Sequence, residues 1–294
     1  MRKGAAAVVC ALNKAIMMLG GVPINVVRPP KSEPKAIGIR KIDDYLPTDA
    51  DDFNGLLSRA SLFAAANPGR TLFCNPAFGT QDAYHAAPIF FGMGVPGYID
   101  DYGSVTIDTP EALRAVEFLL DARSVTIPNP DYSACQSGFL EGSIGMLWTG
   151  QWEIPMVEDA GIDYGVLAMG RPFVGVIALM MTRQAAEEFR DAPALDVMLH
   201  LTSPEVQKEL VLALHTIPTL TALANDPEIA ALPDVSGFYR ALLEGEPISP
   251  SKYMNAQWAP MGLAVYNIWH EIQSPQEALK AAQEEAERLV SEMR

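Results

Sequence analysis

With 294 residues, 49% of them hydrophobic, the chain has material for a real core and length for one large domain or two ordinary ones, which excludes global disorder. Its 36 acids against 21 bases leave a net charge of −15. No stretch gathers Lys and Arg into a stripe, so a nucleic-acid partner is excluded, because binding a phosphate backbone needs clustered cations to displace its counterions.

The N-terminus, "MRKGAAAVVCAL", joins a basic start to an apolar run as a secretory leader does, but Asn13 and Lys14 interrupt it and no clean small-residue cleavage box follows. No other segment reaches the roughly 18 to 20 uncharged apolar residues of a membrane span. Residues 24–52 are rich in Pro, Lys and Asp and read as loop with one short strand at most. Phe53, Leu56, Leu57, Ala60 and Phe63 share one face of a helix predicted over 52–66, which Asn67-Pro68-Gly69 stops. "RTLFCNP" follows as a short buried strand. Thr109-Pro110-Glu111, Ser203-Pro204-Glu205 and Ser274-Pro275-Gln276 each set a capping hydroxyl before a proline, the signature of a helix start, and Glu277 completes a capping box with Ser274. The last helix carries Leu279, Ala282, Ala286, Leu289 and Met293 at helical spacing, opposite a charged face expected toward solvent. Short strands are expected at 104–107, 144–148, 164–168 and 173–181. The last, "FVGVIALMM", is continuously apolar and expected to be buried on both faces. Helices alternating with short strands indicate an α/β fold.

Cys10, Cys74 and Cys135 are odd in number and form no C-x-x-C pair, which argues against a disulfide framework and a zinc site and for small buried side chains. His85, His200, His215 and His270 are dispersed, with no helical metal pair among them. "GGVP" and "GMGVPG" are neither phosphate loops nor dinucleotide fingerprints, so no cofactor is expected, and no G-x-S-x-G elbow supplies a nucleophile. What stands out is aromatic residues beside polar ones at the edges of elements: Tyr84 in "GTQDAYHAAP" just before a helix, Trp152 in the turn "TGQWE", and Trp258 in "MNAQWAP". An aromatic face suits the apolar C–H face of a sugar ring, and Gln81, Asp82, Gln151, Glu153 and Gln257 are placed to take its hydroxyls. Each ring taken singly also reads as core. Asp82 and Glu153 are in addition the pair that a glycoside hydrolase reading would use.

"FLEGSIGMLWTGQWE" resembles the F-x-x-G-x-x-A-M-x-x-x-G-x-W signature of extracellular solute-binding proteins of sugar ABC transporters, the maltose/maltodextrin-binding type. Phe139, Gly142, Met146, Gly150 and Trp152 fill its positions, with Gly145 where Ala is usual. "VVCALNKAIMMLGGVP" is similar to the family's hinge segment through Asn13, Lys14, Gly20 and Pro23. "RPFVGVIALMMT", "LTSPEVQKELVLALHTIPTLTALANDPEI" and the stretch from "ISPSKYMNAQWAP" onward resemble its later segments in the same order. The resemblance implies a type II, two-lobed periplasmic-binding-protein-like α/β fold with the first lobe incomplete, because the family's long opening region has no counterpart before residue 9. It divides the chain into a hinge-like segment (1–23), a main lobe (24–170), a remnant of the other lobe (171–246) and C-terminal helices returning to the main lobe (247–294). The apolar strand of the remnant is then expected to lack sheet neighbours and to expose apolar surface. The resemblance also implies a monomer that binds an oligosaccharide through Asp82, Tyr84, Trp152, Glu153 and Trp258, without catalysis, metal or cofactor. Such a protein delivers its ligand to the membrane permease of an ABC importer from the periplasm or cell exterior. Trp148 is expected in the core, with the Gly150 turn aiming Trp152 into the cleft. A glycerol-phosphate or polyol ligand would call on Arg171 and Lys252, the cations nearby. A non-binding relic, or a module that pairs with a separately encoded first lobe, are further alternatives.

Overall fold

The computed structural model describes residues 18–20, 24–27, 42–184 and 193–294. Its strands in chain order are β1 (Met18–Gly20), β2 (Ile24–Val27), β3 (Thr71–Cys74), β4 (Ile144–Thr149), β5 (Gly165–Leu167), β6 (Phe173–Ile177) and β7 (Glu246–Pro247). Its helices are α1 (Phe53–Ala66), α2 (Ala83–Gly92), α3 (Pro110–Ala122), α4 (Tyr132–Glu141), α5 (Ile154–Asp159), α6 (Pro193–Leu201), α7 (Pro204–Leu214), α8 (Pro227–Ala230), α9 (Pro233–Glu244), α10 (Trp258–Trp269) and α11 (Pro275–Met293). Asn13, Lys14 and Pro23, with most of the hinge-like segment, lie outside the described residues, as does Cys10.

The capping residues that mark helix starts in the sequence do so in the fold. Thr109, Ser203 and Ser274 each accept a backbone N–H from three residues on, and Ser274 with Glu277 forms the full capping box; Asp52, which the sequence reading does not single out as a cap, does the same for α1. On α1 the buried face is Phe53, Leu56, Ala60 and Phe63, while Leu57 is only partly covered. On α11 it is Leu279, Ala282, Ala286 and Val290, which pack with Met261, Ala264, Val265 and Ile268 of α10 in the main core, while the expected Leu289 and Met293 are only partly covered.

One sheet runs β3-β4-β2-β5. β4 pairs parallel to β3 and antiparallel to β2, and β2 pairs antiparallel to β5. The single strand allowed to residues 24–52 is thus β2, bonded on both sides. The smaller sheet runs β1-β6-β7. β4 carries Trp148 into the main core, fully buried, as expected.

Three expectations are corrected. The apolar run at 173–181 forms a strand only to Ile177, and it has sheet neighbours, because β7 pairs its first half and β1 its second. It is not buried on both faces: Phe173 and Val174 pack inside, but the run outlasts its cover and Val176, Ile177 and Met180 are exposed. Residues 104–107 make an isolated bridge, Ile99↔Val105, and not a strand. Cys74 and Cys135 form a disulfide. They are 61 residues apart in sequence, but α4 and β3 both lie against β4, which brings the two Cα atoms to 5.5 Å. Cysteine spacing carries no signal for a contact created by a parallel strand pair and its covering helix.

Candidate functional site

Each of the three singled-out rings stands at the start of a helical turn, and a local device aims it. Asp82 caps α2: its Oδ1 accepts the N–H groups of Tyr84 (2.9 Å) and His85 (3.1 Å). Tyr84 therefore lies inside the first turn of α2, not before the helix. Side chains on a helix lean toward its N-terminus, so a ring in the first turn projects past the helix end. Trp152 belongs to the 3-10 turn Gln151–Glu153 that feeds α5, and its indole lies flat over Gly150. A Cβ on Gly150 would stand 2.2 Å from Cζ3 and 2.3 Å from Cη2 of that ring, which is why glycine is required there. Trp258 opens α10. Gly262, one turn on, would bring a Cβ to 2.5 Å from the carbonyl oxygen of Gln81, so its missing side chain lets α10 approach the start of α2.

These devices bring the rings together. Around Tyr84, the ring centroid of Trp152 stands at 6.5 Å, that of Trp258 at 6.4 Å, and that of Phe173 at 6.0 Å in a stack inclined by 9°. Phe173 and Trp258 are 5.3 Å apart. Trp152 is 43% exposed, Tyr84 and Trp258 are half-buried, and Phe173 is buried behind them. The result is a continuous aromatic wall, most exposed at Trp152.

Polar groups line its edge. Asp82 Oδ2 stands 2.7 Å from Nδ1 of His85, a residue 3% exposed. The His85 ring meets Trp152 edge to face at 5.7 Å and Tyr132 at 5.2 Å, and the Tyr132 hydroxyl reaches its nitrogens at 2.9 and 3.0 Å. Burial pushes the Asp82 carboxyl up, but the His85 side chain and the two capping N–H groups together hold it below its ordinary value of 3.8. Burial, then the Asp82 charge, raises the Tyr84 phenol. Tyr132 is raised by burial and by the charges of Asp82 and Glu153. Both phenols stay protonated at neutral pH and can donate. Glu153 accepts from the Gln136 side chain at 2.9 Å, Gln81 is exposed, and Gln151 and Gln257 are buried.

Phe173, His85 and Tyr132 complete the wall and escape the sequence reading. A signal existed for two of them: His85 and Tyr132, like Tyr84, follow an aspartate that caps a helix, Asp82 and Asp131. Arg171 and Lys252 are engaged elsewhere, Arg171 with Glu246 at 2.8 Å and Lys252 with the Met293 carbonyl. Among the described residues no group of His, Cys, Asp and Glu is placed to hold a metal ion, and no helix is long and apolar enough to cross a membrane.

Residues 43–237 match the model of a family described as bacterial extracellular solute-binding protein. The maltotriose-binding protein of Pyrococcus abyssi (strain GE5 / Orsay) is 32% identical over 199 residues, 64% of this chain and 44% of that protein. The galactooligosaccharide-binding protein of Bacillus subtilis (strain 168) is 26% identical over 160 residues, 51% of this chain and 37% of that protein. The chain therefore spans less than half the length of these curated relatives. Among solved structures, the maltose-maltodextrin binding protein of Alicyclobacillus acidocaldarius superposes with a TM-score of 0.71 at 21% identity, over 92% of this chain and 71% of that one. A cyclo/maltodextrin-binding protein complexed with maltotetraose gives 0.72 at 20% identity, over 96% and 70%. At these identities the likeness shows the fold, the two-lobed type II architecture.

Proposed function

This chain belongs to the bacterial extracellular solute-binding protein family, and from that premise we propose that it binds an oligosaccharide of the maltodextrin kind as the substrate-binding component of an ABC importer. The observation that carries the reading is the wall itself: Trp152 and Trp258, each from its own helical start, stand within 6.5 Å of Tyr84, which comes from a third, and all three stay partly exposed. Flat apolar faces with polar edges match the alternation of C–H faces and hydroxyls on a sugar chain. Tyr84, Trp152 and Trp258 supply the stacking faces in this reading, and Asp82 and Glu153 sit at the hydroxyl edge. The names of two relatives, one binding maltotriose and one galactooligosaccharide, support a saccharide over a phosphorylated polyol. So does the pairing of Arg171 and Lys252 with other groups. We assign no chemistry to the site. Asp82 is committed to the helix cap and His85, which leaves it poorly placed as a glycosidase acid. The same proposal has the protein act outside the cytoplasm, as a monomer that hands its ligand to a permease; the family match supports the location and the Cys74–Cys135 disulfide fits an oxidising compartment.

The test is titration with maltotriose, longer maltodextrins and galactooligosaccharides, followed by tryptophan fluorescence and calorimetry. Saturable binding that Trp152→Ala weakens supports the reading. A folded sample that ignores every saccharide rejects it.

A further inference from the structure

We propose that the cavity beside Phe173 is a second binding site, suited to a small uncharged hydroxylated ring such as a monosaccharide or a cyclic polyol. The inference goes beyond the reading of the aromatic wall and does not depend on it. The cavity has a volume of about 580 Å³, within the range of small-molecule sites. It lies between the loop after α2, residues 96–106, and the segment 246–257 that runs from β7 toward α10. Tyr84, Trp152 and Trp258 do not line it, whereas Phe173, the ring stacked on Tyr84, does. Wall and cavity thus share one side chain. Hydrogen bonds within the protein fix both sides of the cavity. The Thr106 N–H donates to the Tyr98 carbonyl at 2.9 Å, and the Asp100 N–H to that of Ser104 at 3.0 Å. The Ser249 hydroxyl donates to Asp101 Oδ1 and the Ser251 hydroxyl to the Asp101 carbonyl at 3.1 Å, which ties one side to the other.

The polar groups of the lining select the ligand. Tyr98 is 1% exposed and Gln257 fully buried, and Tyr98 Oη and Gln257 Oε1 have no hydrogen-bond partner among the described residues. Gln257 Nε2 is engaged, donating to Met254 Sδ at 2.6 Å. A buried polar atom without a partner is costly, and two on one cavity call for a shared explanation. Burial, then the Asp82 charge, raises the Tyr98 phenol, so at neutral pH it keeps a proton to donate, while the Gln257 oxygen only accepts. A hydroxyl accepts and donates at once, so one kind of ligand group answers both. The charged groups on the lining are the carboxylates of Asp100, Asp101 and Glu246; the cation Arg171 is paired with Glu246 and does not line it. An anion is therefore disfavoured. An amine suits the carboxylates but not the buried pair, a phenol and an amide oxygen, which holds no counter-charge for it. Ile99, Phe173, Ile248 and Met254 offer the C–H face of a ring its apolar contact.

The test titrates the protein with myo-inositol and D-glucose while NMR follows the methyl signals of Ile99, Ile248 and Met254 for the cavity and the indole N–H signals of Trp152 and Trp258 for the wall. At least one probe is expected to move the three methyl signals saturably in the millimolar range, as suits a ligand of about twelve non-hydrogen atoms. Trp152→Ala should leave that affinity unchanged, and Tyr98→Phe should weaken it about three- to tenfold, the value of one neutral hydrogen bond. Without ligand, Tyr98→Phe should not lower Tm, because the hydroxyl it removes has no protein partner to lose. Methyl signals that neither probe moves up to about 100 mM overturn the proposal. So do shifts that Trp152→Ala abolishes, an affinity indifferent to Tyr98→Phe, or a Tyr98→Phe protein of lower Tm. A protein that takes myo-inositol at the cavity but ignores every oligosaccharide loses the reading of the wall and keeps this one.

Discussion

Gly150→Ala isolates the device that aims Trp152. Gly150 has φ −118° and ψ 179°, extended backbone open to any residue, so alanine meets no conformational penalty. The nearest obstacle is the indole, whose Cζ3, Cη2 and Cε3 would lie 2.2, 2.3 and 2.6 Å from the new methyl. Overpacking of a closed core costs about 1–3 kcal/mol, but this ring is 43% exposed and can swing into water. The stability loss should therefore stay below about 1 kcal/mol, typical of surface changes. Binding should suffer more. A displaced indole forfeits its stacking on the ligand, worth about 1–1.5 kcal/mol by analogy with aromatic pairs, or about five- to twelvefold in Kd. Urea denaturation gives the first quantity and calorimetry with maltotriose the second. Adding Gly150→Ala to Trp152→Ala should then change Kd little further, because both act through one ring. A Gly150→Ala protein with wild-type affinity and unshifted tryptophan emission would refute the claim that this glycine positions the ring.

Reduction of Cys74–Cys135 opens a loop spanning 61 residues of sequence separation, and chain entropy puts the loss at about 4 kcal/mol. Thermal unfolding with and without dithiothreitol should differ by roughly 6 °C, and an unchanged Tm would contradict the entropic account. His215→Ala strips the buried Asp234 carboxylate, 1% exposed, of its imidazole partner and should cost about 3–5 kcal/mol by urea denaturation; a loss under 1 kcal/mol would show that Asp234 finds another partner or a proton. The Asp82 carboxyl is held below its ordinary value of 3.8, so its contribution to stability is fully present above that pH and is lost as the pH falls through the lower folded-state value. Asp82→Asn keeps a capping side chain but removes the charge, and should flatten the acid limb of the unfolding free energy against pH.

Much of the fold was legible because its signals are local. A hydroxyl or carboxylate cap followed by proline writes its own helix start, and Thr109, Ser203 and Ser274 all behave as read. The misses are non-local. Burial of Val176 and Ile177 depends on which element covers them, and apolar periodicity cannot report that. The cysteine pair depends on a parallel alignment of β3 with β4. In the site, Trp152 was legible through Gly150, a close-approach glycine next to a bulky ring. Phe173 was not, because as the first residue of an apolar strand it looks like any core residue until its stack on Tyr84 is seen.

That stack bears on how the wall can work at all. A first-turn aromatic is aimed by its helix but not held, since its ring overhangs the helix end and can rotate. Tyr84 is held because Phe173 lies nearly parallel to it at 6.0 Å and Trp258 packs against both rings, at 5.3 Å from Phe173 and 6.4 Å from Tyr84. Phe173 is in turn wedged edge-on against Phe91 of α2 at 4.8 Å, so the residue that fixes two half-buried rings is anchored in the core. Trp152 has a different anchor, the Gly150 backbone beneath it and the His85 edge beside it. The wall is therefore fixed at two independent places, one apolar and one polar. Rings held this way lose little freedom when a flat ligand settles on them, which favours affinity from stacking alone.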